Sequence, residues 1–208
     1  MSHEAPHIQA LSWRETRDVT RETKITCNPR GHDGVLPLMD GLCERLADDL
    51  DGNFPDLVRA LQNDIYSGLR SLSGPEAEDL TQETFIRAYQ ALSGYEVDRI
   101  RNLKLRGWIW TIALNLGRNH LRARSRRPQS ESRVVEVSSH DPEFIDLNAW
   151  HGRFKALPPR TRRAVVLRHV VGLGYEEIAI ATGQAVGTVK SDVHRGLGKL
   201  REILEDES

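Results

Sequence analysis

The chain has 208 residues, enough for one or two domains, and a formal net charge of −1 that excludes a uniformly basic or acidic binder. Two cysteines, Cys27 and Cys43, are too few for a secreted disulfide framework. No apolar run approaches membrane-spanning length and the N-terminus lacks a signal-peptide core, so a soluble, cytoplasmic protein without membrane insertion is expected. The near-neutral total conceals segregation. Residues 40–64 carry seven acids against two bases, residues 96–127 nine bases against two acids, and residues 155–201 nine bases against three acids. This pattern points to nucleic acid at the back of the chain and a different partner at the front.

Residues 1–33 are polar with few apolar positions, and they are expected to lack a packed core. His3, His7, Cys27, His32 and Cys43 match no compact zinc spacing, so no metal is expected. Leu38, Leu42, Leu46 and Leu50 suggest a short acidic helix within Leu36–Leu50. Asn53 then caps a clear helix whose apolar stripe is Phe54, Leu57, Val58, Leu61, Ile65 and Leu69. Ser73-Gly74-Pro75 starts another helix, with Glu76, Glu78 and Asp79 at the positive end of its dipole. Leu80, Thr84, Phe85, Ala88 and Leu92 form its buried side, leaving Asp79, Gln82, Glu83 and Arg87 outward.

A loop is expected over Ser93–Arg106, with Tyr95 and the cations Arg99, Arg101, Lys104 and Arg106. The helix Gly107–Arg124 follows, carrying Trp108, Ile109, Ile112, Ala113, Leu116 and His120 at helical spacing. Arg118, Arg122, Arg124, Arg126 and Arg127 exceed what C-terminal dipole compensation needs; beside aromatics they suit strained or unpaired DNA. Pro128–Glu143 turns to Ser, Pro, Glu and Gln and reads as a linker. Phe144–Ala156 opens a second domain through Ile145, Leu147, Trp150 and Phe154. Apart from Arg133–Val137 no period-2 pattern occurs, so the fold class is all-α: two small helical domains joined by a flexible linker.

Leu157–Leu204 has the organisation of a helix-turn-helix unit with a supporting helix in front. Pro158-Pro159 starts the first helix, Gly172-Leu173-Gly174 breaks it, and Gly183-Gln184-Ala185 is the tight turn. Val189, Val193, Leu197 and Leu200 share one face of the last helix. Gly187, Thr188, Ser191 and Arg195 point the other way, with Lys190 and His194 along a flank. A recognition helix needs such a face, with polar groups for base edges and cations near phosphates. Arg160, Arg162, Arg163 and Arg168 on the preceding helix are placed to clamp backbone.

Three segments in order now carry a family resemblance: PEAEDLTQETFIRAYQAL, GWIWTIALNLGRNHLRARSRR and LPPRTRRAVVLRHVVGLGYEEIAIATGQAVGTVKSDVHRGLGKLR. Together they resemble a bacterial group-four sigma factor of the extracytoplasmic-function type. The resemblance covers about Asn53–Leu204 and leaves an extension, residues 1–52, outside it. It implies a region 2 domain over 53–127, a linker over 128–143 and a region 4 domain over 144–208. Core RNA polymerase would dock on Asp79, Leu80, Gln82, Glu83, Phe85 and Arg87. The −10 element, including a base flipped from the non-template strand, would meet Tyr95, Arg106, Trp108, Asn115, Arg118, Asn119, Arg122 and Arg126. Trp108 fits a core position equally well. The −35 duplex would be read by Thr188, Lys190, Ser191, His194 and Arg195, with Arg160 and Arg168 on phosphates. An anti-sigma factor is the further partner implied.

The sequence departs from the family pattern at several points. Asp192 stands where arginine is common, and a carboxylate there would repel phosphate or accept from a cytosine amino group. Asn119 stands where aspartate is usual. Gly174 and Ala185 replace the usual Ser/Thr caps, and Gly196 and Gly198 each weaken the recognition helix by about 1 kcal/mol against alanine. The sequence contains no Gly-rich phosphate loop, metal-ligand spacing or nucleophile motif, so neither catalysis nor a cofactor is expected. A stand-alone helix-turn-helix regulator is the alternative, but it would need neither the Asp79–Phe85 nor the Trp108–Arg127 block.

Overall fold

The computed structural model describes residues 39–126 and 147–206. The polar extension with His3, His7, Cys27 and His32, the segment Arg133–Val137, the linker 128–143, and Phe144 and Ile145 lie outside the described residues. Among the described residues every regular element is helical: α1 (Leu42–Asp48), α2 (Leu50–Ser73), α3 (Ala77–Ser93), α4 (Val97–Arg101), α5 (Leu105–Arg126), α6 (Leu147–Lys155), α7 (Pro159–His169), α8 (Tyr175–Thr182) and α9 (Val186–Asp206). A single 3₁₀ turn, Gly74–Glu76, joins α2 to α3.

The start of α2 differs from the sequence expectation. Asp49, not Asn53, is the cap: its carboxylate accepts from the Gly52 N–H at 3.0 Å. Asn53 lies inside the first turns, where its amide donates to the carbonyls of Arg45 and Asp49 at 3.0 and 2.8 Å. Both carbonyls also accept a backbone N–H, from Asp49 and Asn53 respectively, so the Asn53 amide supplies each with a second donor and ties the α1–α2 corner together. The expected stripe holds: Leu57, Leu61, Ile65 and Leu69 are fully buried. The segment expected as a loop contains α4, whose Ile100 is buried and whose Arg101 pairs with Glu44 and Asp48 of α1.

Two helical groups result, and they pack directly on one another. In the first, α2 packs on α3 and α5, and α1 on α2 and α4; in the second, α9 packs on α7 and α8. Between the groups, α5 meets α8, and α2 meets both α6 and α7. This junction explains why α5 is buried over more of its circumference than one stripe. Trp110, which the expected periodicity omitted, is 1% exposed, whereas Trp108 and Ile112 are half-buried. Gly68 of α2 sits beneath the Trp110 ring and beside Val171, a residue of the second group; an ideal Cβ there would lie 2.6 Å from Val171 Cγ2. A cleft of about 310 Å³ opens along the same seam, with Leu69, Leu72 and Leu121 on its walls and Arg118, Arg162 and Arg163 around it.

Candidate nucleic-acid interface

The helix-turn-helix forms as its sequence predicts. Gly183 takes the left-handed conformation at φ 67°, and the Gln184 N–H returns to the Ala179 carbonyl at 3.1 Å. Gly174 brings no side chain to cap α8. Instead Glu177, three residues on, accepts from the Gly174 N–H at 2.7 Å, half of a capping box. On α9, Val189, Val193 and Leu200 are buried as expected, but Leu197 is exposed; Gly196 is the buried residue there because α7 approaches so closely.

The outer face of α9 carries the residues expected to meet duplex DNA. Lys190, Ser191, His194 and Arg195 are exposed and Thr188 is half-buried. The Ser191 hydroxyl donates back to the Gly187 carbonyl at 3.0 Å, leaving its oxygen to accept. Tyr175 gathers two cations: the Arg168 guanidinium lies 4.8 Å and the Lys190 ammonium 5.5 Å from its ring centre. Arg168 also donates to the Leu173 carbonyl at 2.9 Å, so it braces the turn before α8 as well as facing solvent.

Asp192 does not behave as its sequence position suggests. Its side chain is 2% exposed, and both carboxylate oxygens are taken: Arg160 Nε lies 2.6 Å from one and Arg195 Nη2 2.5 Å from the other. It is therefore not an exposed anion that repels phosphate or accepts from a cytosine amino group. Burial pushes the carboxyl up, but the hydrogen bonds and charges of Arg195 and Arg160 outweigh it and hold it below the usual carboxylate range.

In the first group, Asn115, Arg118, Asn119 and Arg122 are exposed along α5. Arg126 closes that helix, and the side chains beyond Ala123 lie outside the described residues. Tyr95 and Trp108 meet edge to face at 6.0 Å, and the Arg99 guanidinium covers Tyr95 at 3.6 Å. Trp108 thus packs half-buried against the core. Arg106 departs most from expectation. It is 11% exposed and reaches Asp64 of α2 and Glu177 of α8, each at 3.3 Å. Both contacts are longer than the usual 2.7–2.9 Å of a charge-assisted bond, and Arg106 Nε finds no hydrogen-bond partner. Beside it, Gly107 lies against Ile180 and the Glu177 carbonyl, and Thr111 Oγ1 lies 3.4 Å from the Ile180 carbonyl.

On α3, Asp79 and Arg87 are exposed, Gln82 and Glu83 half-buried, and Arg87 pairs with Glu83 at 2.6 Å. Leu80 and Phe85, grouped with them as docking residues, are 6% exposed and belong to the core, so they shape this face from beneath. Asp64 and Trp110 escaped the sequence reading of the site, and Asp192, singled out there, was expected as an exposed anion rather than a buried, doubly paired one. Only Glu177 left a signal, at the third position after a helix start.

Residues 57–127 match Sigma-70 region 2, and residues 148–200 match Sigma-70, region 4. The chain is 36% identical over 170 residues to the "ECF RNA polymerase sigma factor SigE" of Mycolicibacterium smegmatis, across 75% of this chain but only 63% of that protein. It is 32% identical to the "RNA polymerase sigma-H factor" of Pseudomonas aeruginosa, covering 62% of this chain and 74% of that one. With the "ECF RNA polymerase sigma-E factor" of Haemophilus influenzae it shares 31% identity over 79% of this chain and 92% of that protein. Among solved structures it is similar to the sigma factor RpoE in complex with the anti-sigma factor NepR from Bartonella quintana, at a TM-score of 0.62 and 27% identity. That match covers 74% of this chain and 97% of that one. The fold also matches CnrH, solved with the cytosolic domain of CnrY, at a TM-score of 0.61 and 22% identity over 80% of this chain and 97% of that one.

Proposed function

The chain belongs to the extracytoplasmic-function sigma factors of the sigma-70 family, and we propose that it binds core RNA polymerase and directs promoter-specific initiation through −10 and −35 elements. The observation that carries this is the presence of both region matches in one chain, in order, each on a helical group with an exposed polar or basic face. A stand-alone regulator would have no use for the first group.

In this reading residues 53–127 form the domain that engages polymerase and the −10 element. Residues 144–208 form the −35 reader, joined to it by 128–143. The α3 face of Asp79, Gln82, Glu83 and Arg87 meets polymerase. Asn115, Arg118, Asn119, Arg122 and Arg126 on α5, with Tyr95 and Trp108 near its start, meet the opened −10 DNA, and they are joined by Arg106 once it leaves Glu177. Thr188, Lys190, Ser191, His194 and Arg195 read the −35 duplex. The factor works in the cytoplasm, where transcription occurs, has no catalytic centre of its own and needs no cofactor. Among the described residues no helix is long and apolar enough to cross a membrane. An anti-sigma partner is supported by the similar structure solved with one.

Transcription in vitro with bacterial core polymerase and fragmented genomic DNA tests the proposal. Discrete transcripts that appear only with this protein and share −10 and −35 sequences are expected. Lys190→Ala with Arg195→Ala should weaken −35-dependent transcription while polymerase binding persists. No polymerase binding by the full chain would refute the proposal and return the stand-alone regulator.

A further inference from the structure

Asp192 has a side chain that the fold alone does not require. A buried carboxylate between α7 and α9 could act as a staple between them, and Arg160 of α7 would suffice for that. The close approach of Gly196 to Thr161 and Val165 already seats the two helices. Arg195 lies three residues from Asp192 on the same helix, so their pairing adds nothing to the α7–α9 contact. What the pairing does is fix a long cation that remains two-thirds exposed. Thr188, Ser191 and Arg195 follow one another at spacings of three and four along α9, and Arg195 keeps most of its side chain exposed beside them while one nitrogen reaches the Asp192 carboxylate. Arg195 gives one nitrogen to the carboxylate. A guanidinium has five N–H donors in a rigid fork, so the remaining donors stay available.

We propose that Asp192 is a positioning residue for −35 recognition: it holds Arg195 for bidentate contact with the O6 and N7 of a guanine, and Arg160 for an adjacent phosphate. This rests on the reading of α9 as the −35 recognition helix. Rotamer freedom lost before binding is not lost again on binding, so a fixed arginine discriminates better than a free one. One carboxylate shared by two guanidiniums also leaves the pair of cations attractive to DNA. Replacing Asp192 by asparagine should therefore raise general affinity for DNA while lowering discrimination, the opposite of what loss of structure does.

The test uses the full chain with core polymerase on a promoter library randomised across the −35 element, with sequencing of the transcribed templates. Asp192→Asn should flatten the preference at one guanine position by about tenfold, the scale of a bidentate arginine–guanine contact. Arg195→Ala should flatten the same position. The double variant should be no flatter than Arg195→Ala alone, and Asp192→Glu should restore part of the preference. Placing 7-deazaguanine at that position should cost the wild type affinity and leave Asp192→Asn nearly unaffected. Arg160→Ala should lower the slope of log affinity against log salt by about one phosphate contact and spare the base preference. An unchanged preference in folded Asp192→Asn, or an even loss at every position, would overturn the proposal. Should that variant not fold, Arg195→Ala decides alone: no flattened guanine position overturns it. A wild-type factor that selects −35 sequences without guanine dependence defeats only this inference, whereas one that selects nothing defeats the reading beneath it as well.

Discussion

Gly196 and Gly198 lie two residues apart on α9, and the same substitution should act on them with opposite sign. An alanine in place of an interior helical glycine gains about 0.5–1 kcal/mol from the entropy of the unfolded chain and the shielding of the backbone. Gly198 has nothing within 4 Å of the position a Cβ would take, so Gly198→Ala should realise that gain. At Gly196 the added carbon would collide with Val165 Cγ2 and lie 2.8 Å from Thr161 Cγ2. Those residues are 1% and 9% exposed and cannot swing away. Overpacking of this kind costs about 1–3 kcal/mol, so Gly196→Ala should lose about 1 kcal/mol net. The two variants should differ by about 2 kcal/mol, or about 4–8 °C in Tm for a chain of this size. Thermal unfolding of the full-length variants followed by circular dichroism measures this directly. A Gly196→Ala protein at least as stable as wild type would refute the claim that contact with α7 requires glycine.

Three further outcomes follow from the junction and its surroundings. Arg106→Ala leaves Asp64 and Glu177 facing each other without their cation. It should weaken contact between the helical groups by about 2 kcal/mol, below the cost for a fully buried pair because the contacts are long; small-angle scattering should show a larger radius of gyration, and an unchanged curve would contradict the role given to Arg106. Burial holds the His151 imidazole below its ordinary value, reinforced by Lys155, Arg162 and Arg70 and opposed by the Ser71 carbonyl, and burial and Arg168 do the same to His169. Below about pH 6.5 the unfolded chain therefore binds more protons, so stability should fall as pH drops through that value towards the folded pKa values. The urea midpoint should be lower at pH 5.5 than at 7.5, and His151→Gln should narrow the difference; a midpoint independent of pH in wild type would contradict this. Burial, with Glu44, raises the Cys43 thiol pKa against the opposing effect of Lys104, so Cys43 should alkylate more slowly at pH 7.5 in the folded chain than after denaturation.

The sequence showed most clearly what local periodicity controls. The Leu57–Leu69 stripe, the buried side of α3 and the αL turn at Gly183 all formed where expected, because each depends on neighbours within one or two turns. The face of α9 was legible for the same reason. What could not be read depended on contacts distant in sequence. Asp192 looked like a solvent-facing anion because Arg160, its partner 32 residues earlier, leaves no mark on the periodicity of α9. Arg106 looked like one basic residue among several because Asp64 and Glu177 lie 42 and 71 positions away. Trp110 fell outside the single-stripe pattern because that pattern assumes one buried face, and α5 is covered by both groups. Gly196 and Gly198 appeared equivalent because the sequence does not reveal which of them α7 touches.

The contact between α5 and α8 sets a limit on what this arrangement can span. Elements centred near −10 and −35 are about 25 base pairs apart, about 85 Å of duplex at 3.4 Å per base pair. Helix α5 with its 22 residues is about 33 Å long, and α8 rests against it. Faces held that close cannot grip both elements of one promoter, so the two groups must part when both are read. The chain between α5 and α6, residues 127–146, can reach about 70 Å if fully extended. That reach, with the lengths of the helices it joins, is enough to cover the interval. In the proposed reading, where Arg106 meets the −10 DNA, it exchanges one set of anions for another: Glu177 is given up before a phosphate takes its place. The long, imperfect bridge at 3.3 Å suits a contact that has to break, and the fraction of molecules in which it is broken scales the apparent affinity for a promoter.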